Sequence, residues 1–109
     1  MKRASLLIAA ALACATAHAS EVDPDAAKSM LKKSDCFKCH AMDKKKDGPP
    51  YKEIAGKYRG KAEAEGKLFT HVTTNPMVEI DGKKEEHKSL KTADEAVIRN
   101  VIRYILSLS

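Results

Sequence analysis

The stretch Cys36-Phe37-Lys38-Cys39-His40 constrains this chain more than any other. It is a C-x-x-C-H pattern, the sequence form of c-type haem attachment. The spacing follows from the chemistry. Two thiols add across the two vinyl groups on one side of a porphyrin, and one helical turn spans the two residues between them. The histidine after the second thiol then lies under the iron, where an imidazole nitrogen can bind axially. Three other uses of the cysteine pair compete. A thioredoxin-like redox pair needs a larger βαβ fold, and no strand-rich apolar run is present. Half of a zinc site needs further ligands, and His71 and His87 are far apart in the sequence. A disulfide across so short a ring stabilises little. The pattern favours one covalent haem on Cys36 and Cys39, with His40 as the proximal ligand.

The chain opens MKRASLLIAAALACATAHA. Lys2 and Arg3 form a basic start, residues 5–15 a short apolar run, and Ala17-His18-Ala19 a small-residue cleavage site. This predicts a secretory signal peptide over residues 1–19, with an apolar part too short to span a membrane. A lipid acceptor at Cys14 is a second reading, which Ala11-Leu12-Ala13 fits poorly. Residues 20–109 are then one small domain. They contain no run long enough to cross a bilayer, so no transmembrane segment is expected in the mature chain. Bacteria attach c-type haem outside the cytoplasm, so export agrees with the haem pattern, and the expected location is the periplasm.

Composition shows why a cofactor is needed. The chain has no Trp, three Tyr and two Phe. A domain this small buries a modest core and commonly needs a disulfide, metal or cofactor to hold it. The formal net charge is +5, part of it carried by Lys2 and Arg3, which leave with the signal. Charges of both signs are interleaved, and no basic helix alternates with aromatics, so a nucleic-acid partner is not indicated. Lys44-Lys45-Lys46 and Lys83-Lys84 are either solvated surface or docking patches for an acidic protein.

Four helical segments follow from capping and periodicity. Asp23-Pro24 is an N-cap followed by Pro at the first helical position, and the helix runs to about Ser34. Gly48-Pro49-Pro50 interrupts the chain, and a short helix follows with Tyr51, Ile54, Ala55 and Tyr58 on one face. Residues 61–74 predict a third helix, with Leu68, Phe69 and Val72 apolar, ended by Asn75-Pro76. Val78 and Ile80 alternate before the turn signal Asp81-Gly82, which leaves a short hairpin and a loop both open. Thr92 and Glu95 form a capping box for the last helix, whose Val97, Ile98, Val101, Ile102, Ile105 and Leu106 repeat with helical period. The expected fold is all-α, about four helices packed around one covalently attached haem.

Taken together these segments resemble the small bacterial class I monohaem cytochromes c over nearly the whole mature chain. CFKCH after an N-terminal helix, DGPPYKEIAGKY and DEAVIRNVIRYILSLS carry the resemblance. It implies that the first and last helices cross, pressing Met30 and Leu31 against the face around Ile102 and Tyr104. It also implies that the Pro49 carbonyl accepts a hydrogen bond from His40 Nδ1–H, which orients the ring and raises its basicity. The departure concerns the sixth iron ligand. The family usually has a Met in the loop before its last helix. Here His87 stands near that place, in KKEEHKSL, and Met77 comes ten residues earlier. By the resemblance His87 is the first candidate for the distal ligand and Met77 the second. A water-bound iron, His71 or Lys88 remain open, although His71 reads as a surface residue of the third helix.

Two strong axial ligands favour outer-sphere electron transfer over substrate chemistry, and a second imidazole lowers the potential relative to a thioether. The expected function is a monomeric one-electron carrier that exchanges electrons with redox partner proteins and is not an enzyme. Two alternatives are kept: a haem protein whose displaceable ligand admits a small molecule, and a haem subunit of a larger oxidoreductase.

Overall fold

The structure is a computed structural model that describes residue 10 and residues 21–109. The expected signal peptide, Cys14 included, lies outside the described residues apart from Ala10. Helix α1 spans Pro24–Lys33. The Asp23 carboxylate accepts from the Ala26 amide at 3.0 Å, and Pro24 occupies the first turn, where no amide is missed. The helix ends at Ser34, and Asp35 turns the chain with a left-handed φ of 61°. A short 3-10 turn, Cys36–Lys38, follows at once. Helix α2 spans Tyr51–Tyr58 and begins directly after Pro50.

Helix α3 spans Ala64–His71, shorter than the expected 61–74. Its end has a local cause. The Thr73 and Thr74 hydroxyls donate back to the carbonyls of Phe69 and Thr70, which takes the backbone out of the helical ladder. Asn75 then adopts φ 48°. Of the two readings left open for residues 77–86, the hairpin is present. Strand β1, Met77–Ile80, pairs antiparallel with β2, Lys83–Glu86. Asp81 and Gly82 both have positive φ, 50° and 79°, as a two-residue turn of matching twist requires. The molecule is thus four helices with one small ribbon, mostly helical as expected.

Helix α4, Glu95–Leu106, is the centre of the core. Its buried Ile98, Val101, Ile102, Tyr104 and Ile105 meet Ala27 and Leu31 of α1, Tyr51 of α2, Leu68 of α3, and Leu90. The crossing of α1 and α4 is locked by a reciprocal pair. The Asp23 amide donates to Asn100 Oδ1 at 2.8 Å, and Asn100 Nδ2 donates to the Asp23 carbonyl at 2.9 Å. The cap of α4 differs from expectation. Asp94, not Thr92, is the N-cap, and its carboxylate accepts from the amides of Ala96 and Val97. The Thr92 hydroxyl instead accepts from the Asp94 amide at 3.1 Å and holds the cap residue.

Candidate functional site

A cavity of about 490 Å³ opens between the 3-10 turn, α2, the end of α3 and the hairpin. Cys36, Cys39, His40, Pro49, His71 and His87 all line it. Its remaining wall is largely apolar, with Leu31, Tyr51, Leu68 and Leu90 at the back and Val78 and Ile80 from β1 at the side. Alternation along β1 produces this division. Val78 and Ile80 are half-buried, whereas Met77 is 59% exposed.

Both cysteines are free thiols. Burial pushes the Cys36 thiol above its ordinary pKa. The same cause raises Tyr51 beside it. The 3-10 turn joins the pair, with the amides of Cys39 and His40 both donating to the Cys36 carbonyl. The next residue, His40, is held on two sides. Its Nδ1 lies 2.7 Å from the Pro49 carbonyl, an N–H···O bond in the tautomer that leaves Nε2 free. Its ring stacks on Tyr51, centroids 4.9 Å apart and 28° between planes. Gly48 lets the loop close this tightly, because a Cβ there would stand 2.6 Å from His40 Cε1.

Across the cavity stands His87. Its ring centre lies 6.1 Å from that of His40, with 57° between planes. Imidazole nitrogens bind transition metals at about 2.0–2.1 Å, so two imidazoles on opposite sides of one metal have ring centres roughly 6 Å apart. The observed separation fits an iron held between them. His87 Nδ1 is buried with no hydrogen-bond partner among the described residues. Burial, with the nearby His71 and His40, pushes its pKa down to about 4. The ring is therefore neutral at ordinary pH, the form that donates a lone pair to a metal.

His71 departs from the surface reading. It is half-buried, lines the cavity, and its ring centre lies 4.1 Å from that of His87. Burial and the neighbouring His40 and Lys57 lower its pKa. A sequence signal was present: Leu68, His71 and Val72 fall at i, i+3 and i+4 on one face. Met42, half-buried, packs against the core rather than lining the cavity. The ring of Tyr51 behind His40 and the side chains that hold the His87 loop had no comparable signal. Among the described residues no group of three or more His, Cys, Asp or Glu side chains is disposed to hold a bare metal ion.

A family model for cytochrome c matches residues 9–109. The chain belongs to the cytochrome c family. The family carries one c-type haem bound covalently through cysteines, and the Cys-x-x-Cys site for it here is Cys36 and Cys39. Two cytochromes c-551, from Pseudomonas aeruginosa and Allochromatium vinosum, are 42% identical to this cytochrome c over 43 residues. That segment spans 39% of the chain and less than half of either relative, 41% and 46% of their lengths. Among solved structures, class 1 cytochrome MtoD from Sideroxydans lithotrophicus ES-1 is 52% identical, with 80% of this chain and 97% of that one covered and a TM-score of 0.77. Nitrosomonas europaea cytochrome c552, at 24% identity, shares the fold, with 75% and 99% covered and a TM-score of 0.59. The fold of this cytochrome c is that of class I, and the family is one of haem-based electron carriers.

Proposed function

We propose that this cytochrome c is a periplasmic one-electron carrier whose haem iron is held between His40 and His87. The observation that carries the reading is the 6.1 Å between the two ring centres, with His40 already fixed by its bond to Pro49. The haem, when bound, supplies the one-electron couple of its iron. The chain supplies everything around that couple. Cys36 and Cys39 anchor the porphyrin, and Pro49 and Tyr51 fix the proximal ring. His87 completes the ligand pair as a neutral imidazole. Leu31, Leu68 and Leu90 exclude water from the back of the site. With the haem bound, His40 and His87 would offer it two imidazoles, a pair that suits outer-sphere transfer and would place the potential below that of a thioether-ligated relative.

Partners are proposed to be acidic redox proteins that meet the exposed Lys44-Lys45-Lys46 and Lys83-Lys84. No helix among the described residues is long and apolar enough to cross a membrane, and we propose that the carrier acts as a diffusible monomer. Transfer to such a partner then slows as salt rises, and a rate indifferent to salt removes the docking idea.

The test of ligation is the far-red absorption of the ferric protein. A low-spin spectrum without a sulfur-to-iron charge-transfer band is expected. A band there would bring Met77 or Met42 to the iron and return His87 to an ordinary loop. His87→Ala should then lose the low-spin spectrum, and it is best read beside His71→Ala because the two rings adjoin. A second reading, ligand binding at a displaceable His87, draws on the unpartnered Nδ1. Prompt carbon monoxide binding by the ferrous protein at neutral pH supports it.

A further inference from the structure

The two histidines facing each other across the cavity are held by different means. His40 has its own side-chain bond to the Pro49 carbonyl. His87 Nδ1 is buried and has no hydrogen-bond partner among the described residues. The place of the His87 ring therefore rests on its main chain and on packing against the His71 ring, 4.1 Å away between centres. That main chain runs out of the hairpin, whose last paired residues are Met77 and Glu86. One more ladder bond follows, from the His87 amide to the Pro76 carbonyl at 2.8 Å. Beyond it the two chains are joined by side chains.

We propose that Asn75 and Ser89 form a clamp that positions His87, an inference resting on the reading of His87 as distal ligand. Asn75 Oδ1 accepts from the Ser89 amide at 3.1 Å and from the Ser89 hydroxyl at 2.5 Å. The Asn75 amide donates back to Ser89 Oγ at 3.3 Å. His87 is thus bracketed within three residues, between the Pro76 bond on one side and this triple link on the other. The next residues extend the anchorage. The Leu90 amide donates to the Val72 carbonyl at 2.9 Å, and the Lys91 amide to the buried Ser34 hydroxyl at 2.9 Å.

The backbone at Asn75 is the second observation. Its φ of 48° is left-handed. Asn is among the few residues that visit this region readily. Pro76 follows directly, and proline disfavours helical conformations in the residue before it. A strained residue persists where its surroundings over-determine it, and such residues gather at working sites. This left-handed residue is the one whose side chain bonds Ser89, two residues after His87. Asn75 is exposed, so water competes for its bonds and each is worth only the modest net energy of an ordinary hydrogen bond. Neither Asn75 nor Ser89 lines the 490 Å³ cavity, so both act through His87 as positioning residues.

The test uses the haem-loaded protein and its variants Asn75→Ala, Ser89→Ala and Ser89→Thr. Carbon monoxide binding to the ferrous form reads how often His87 leaves the iron, and the g-values of the ferric form read how it sits. Asn75→Ala and Ser89→Ala are expected to speed carbon monoxide binding by roughly five- to ten-fold, the factor that one lost hydrogen bond is worth. They should also shift or broaden the ferric low-spin signal. Ser89→Thr keeps the hydroxyl and should stay near the parent. A lowered melting temperature with unchanged binding rate and g-values overturns the proposal, because the clamp then only stabilises the hairpin. If Asn75→Ala does not fold, Ser89→Ala decides alone, since it keeps the main-chain link. The parent's far-red spectrum separates the two failures. A sulfur-to-iron band sinks the ligand reading and the clamp together, while its absence with unresponsive variants sinks the clamp alone.

Discussion

Gly48 shows how closely the proximal side is built. Its φ is not the left-handed kind, so the demand is for space. A methyl group there would press on His40 Cε1 and Nδ1 at 2.6 and 2.9 Å and on the Cys39 carbonyl at 3.1 Å. None of these is the far end of a flexible side chain. Gly48→Ala is expected to displace the His40 ring from Pro49, lower stability by about 1–3 kcal/mol as overpacking does, and move the reduction potential. Thermal unfolding and a redox titration check both. His87 makes a separate prediction about pH. Its folded-state pKa of about 4 lies below the ordinary 6.5. The unfolded chain therefore takes up a proton that the folded chain refuses. The stability due to the neutral ring is present above pH 6.5 and is lost as pH falls through about 4. Ligation acts in the same direction, because a metal competes with the proton for the ring. The denaturant midpoint should be lower at pH 5 than at pH 7, and His87→Ala should flatten that difference.

Among the elements, α4 makes the plainest prediction. Asp94→Ala removes the acceptor for two amides and should cost about 1 kcal/mol in a chemical-denaturation measurement, more than Thr92→Ala, whose hydroxyl only braces the cap. The same helix shows what was legible in the sequence. Its apolar period and that of α1 follow from residues that repeat on one face, and those repeats survive in the structure as the packed seam of Leu31 and Ile102. The cap was less legible, because Thr92 and Asp94 both carry capping oxygens and only the backbone path decides between them. The hairpin was half legible. Val78 and Ile80 alternate, but Lys83–Glu86 is polar throughout and exposed, so one strand had no pattern to read. His71 was hidden by its helix, which is short and charged. Only its spacing from Leu68 and Val72, at i+3 and i−1, placed it on the apolar face. The pairing of Asn75 with Ser89 depends on the hairpin register, which no local pattern states.

At the scale of the whole molecule, the haem replaces core that the residues lack. The cavity separates the 3-10 turn and α2 from the hairpin, and its apolar wall has no protein partner across it. Replacing both thiols, Cys36→Ala with Cys39→Ala, removes the covalent anchor. The variant should lose haem on denaturing gels and lose most of its cooperative thermal transition, as small domains do without their staple. Retention of a sharp transition at the parent's temperature would show that the helices hold the fold alone.

The central position of α4 has a consequence for when this core can exist. Helices α1, α2 and α3 each pack on α4, and α4 follows all three in the chain. Three helices therefore have little to pack against until α4 is present. Domains of this kind have no N-terminal half to fold early. The core closes only when α4 arrives, and Asn100 then ties α4 to Asp23 at the start of α1.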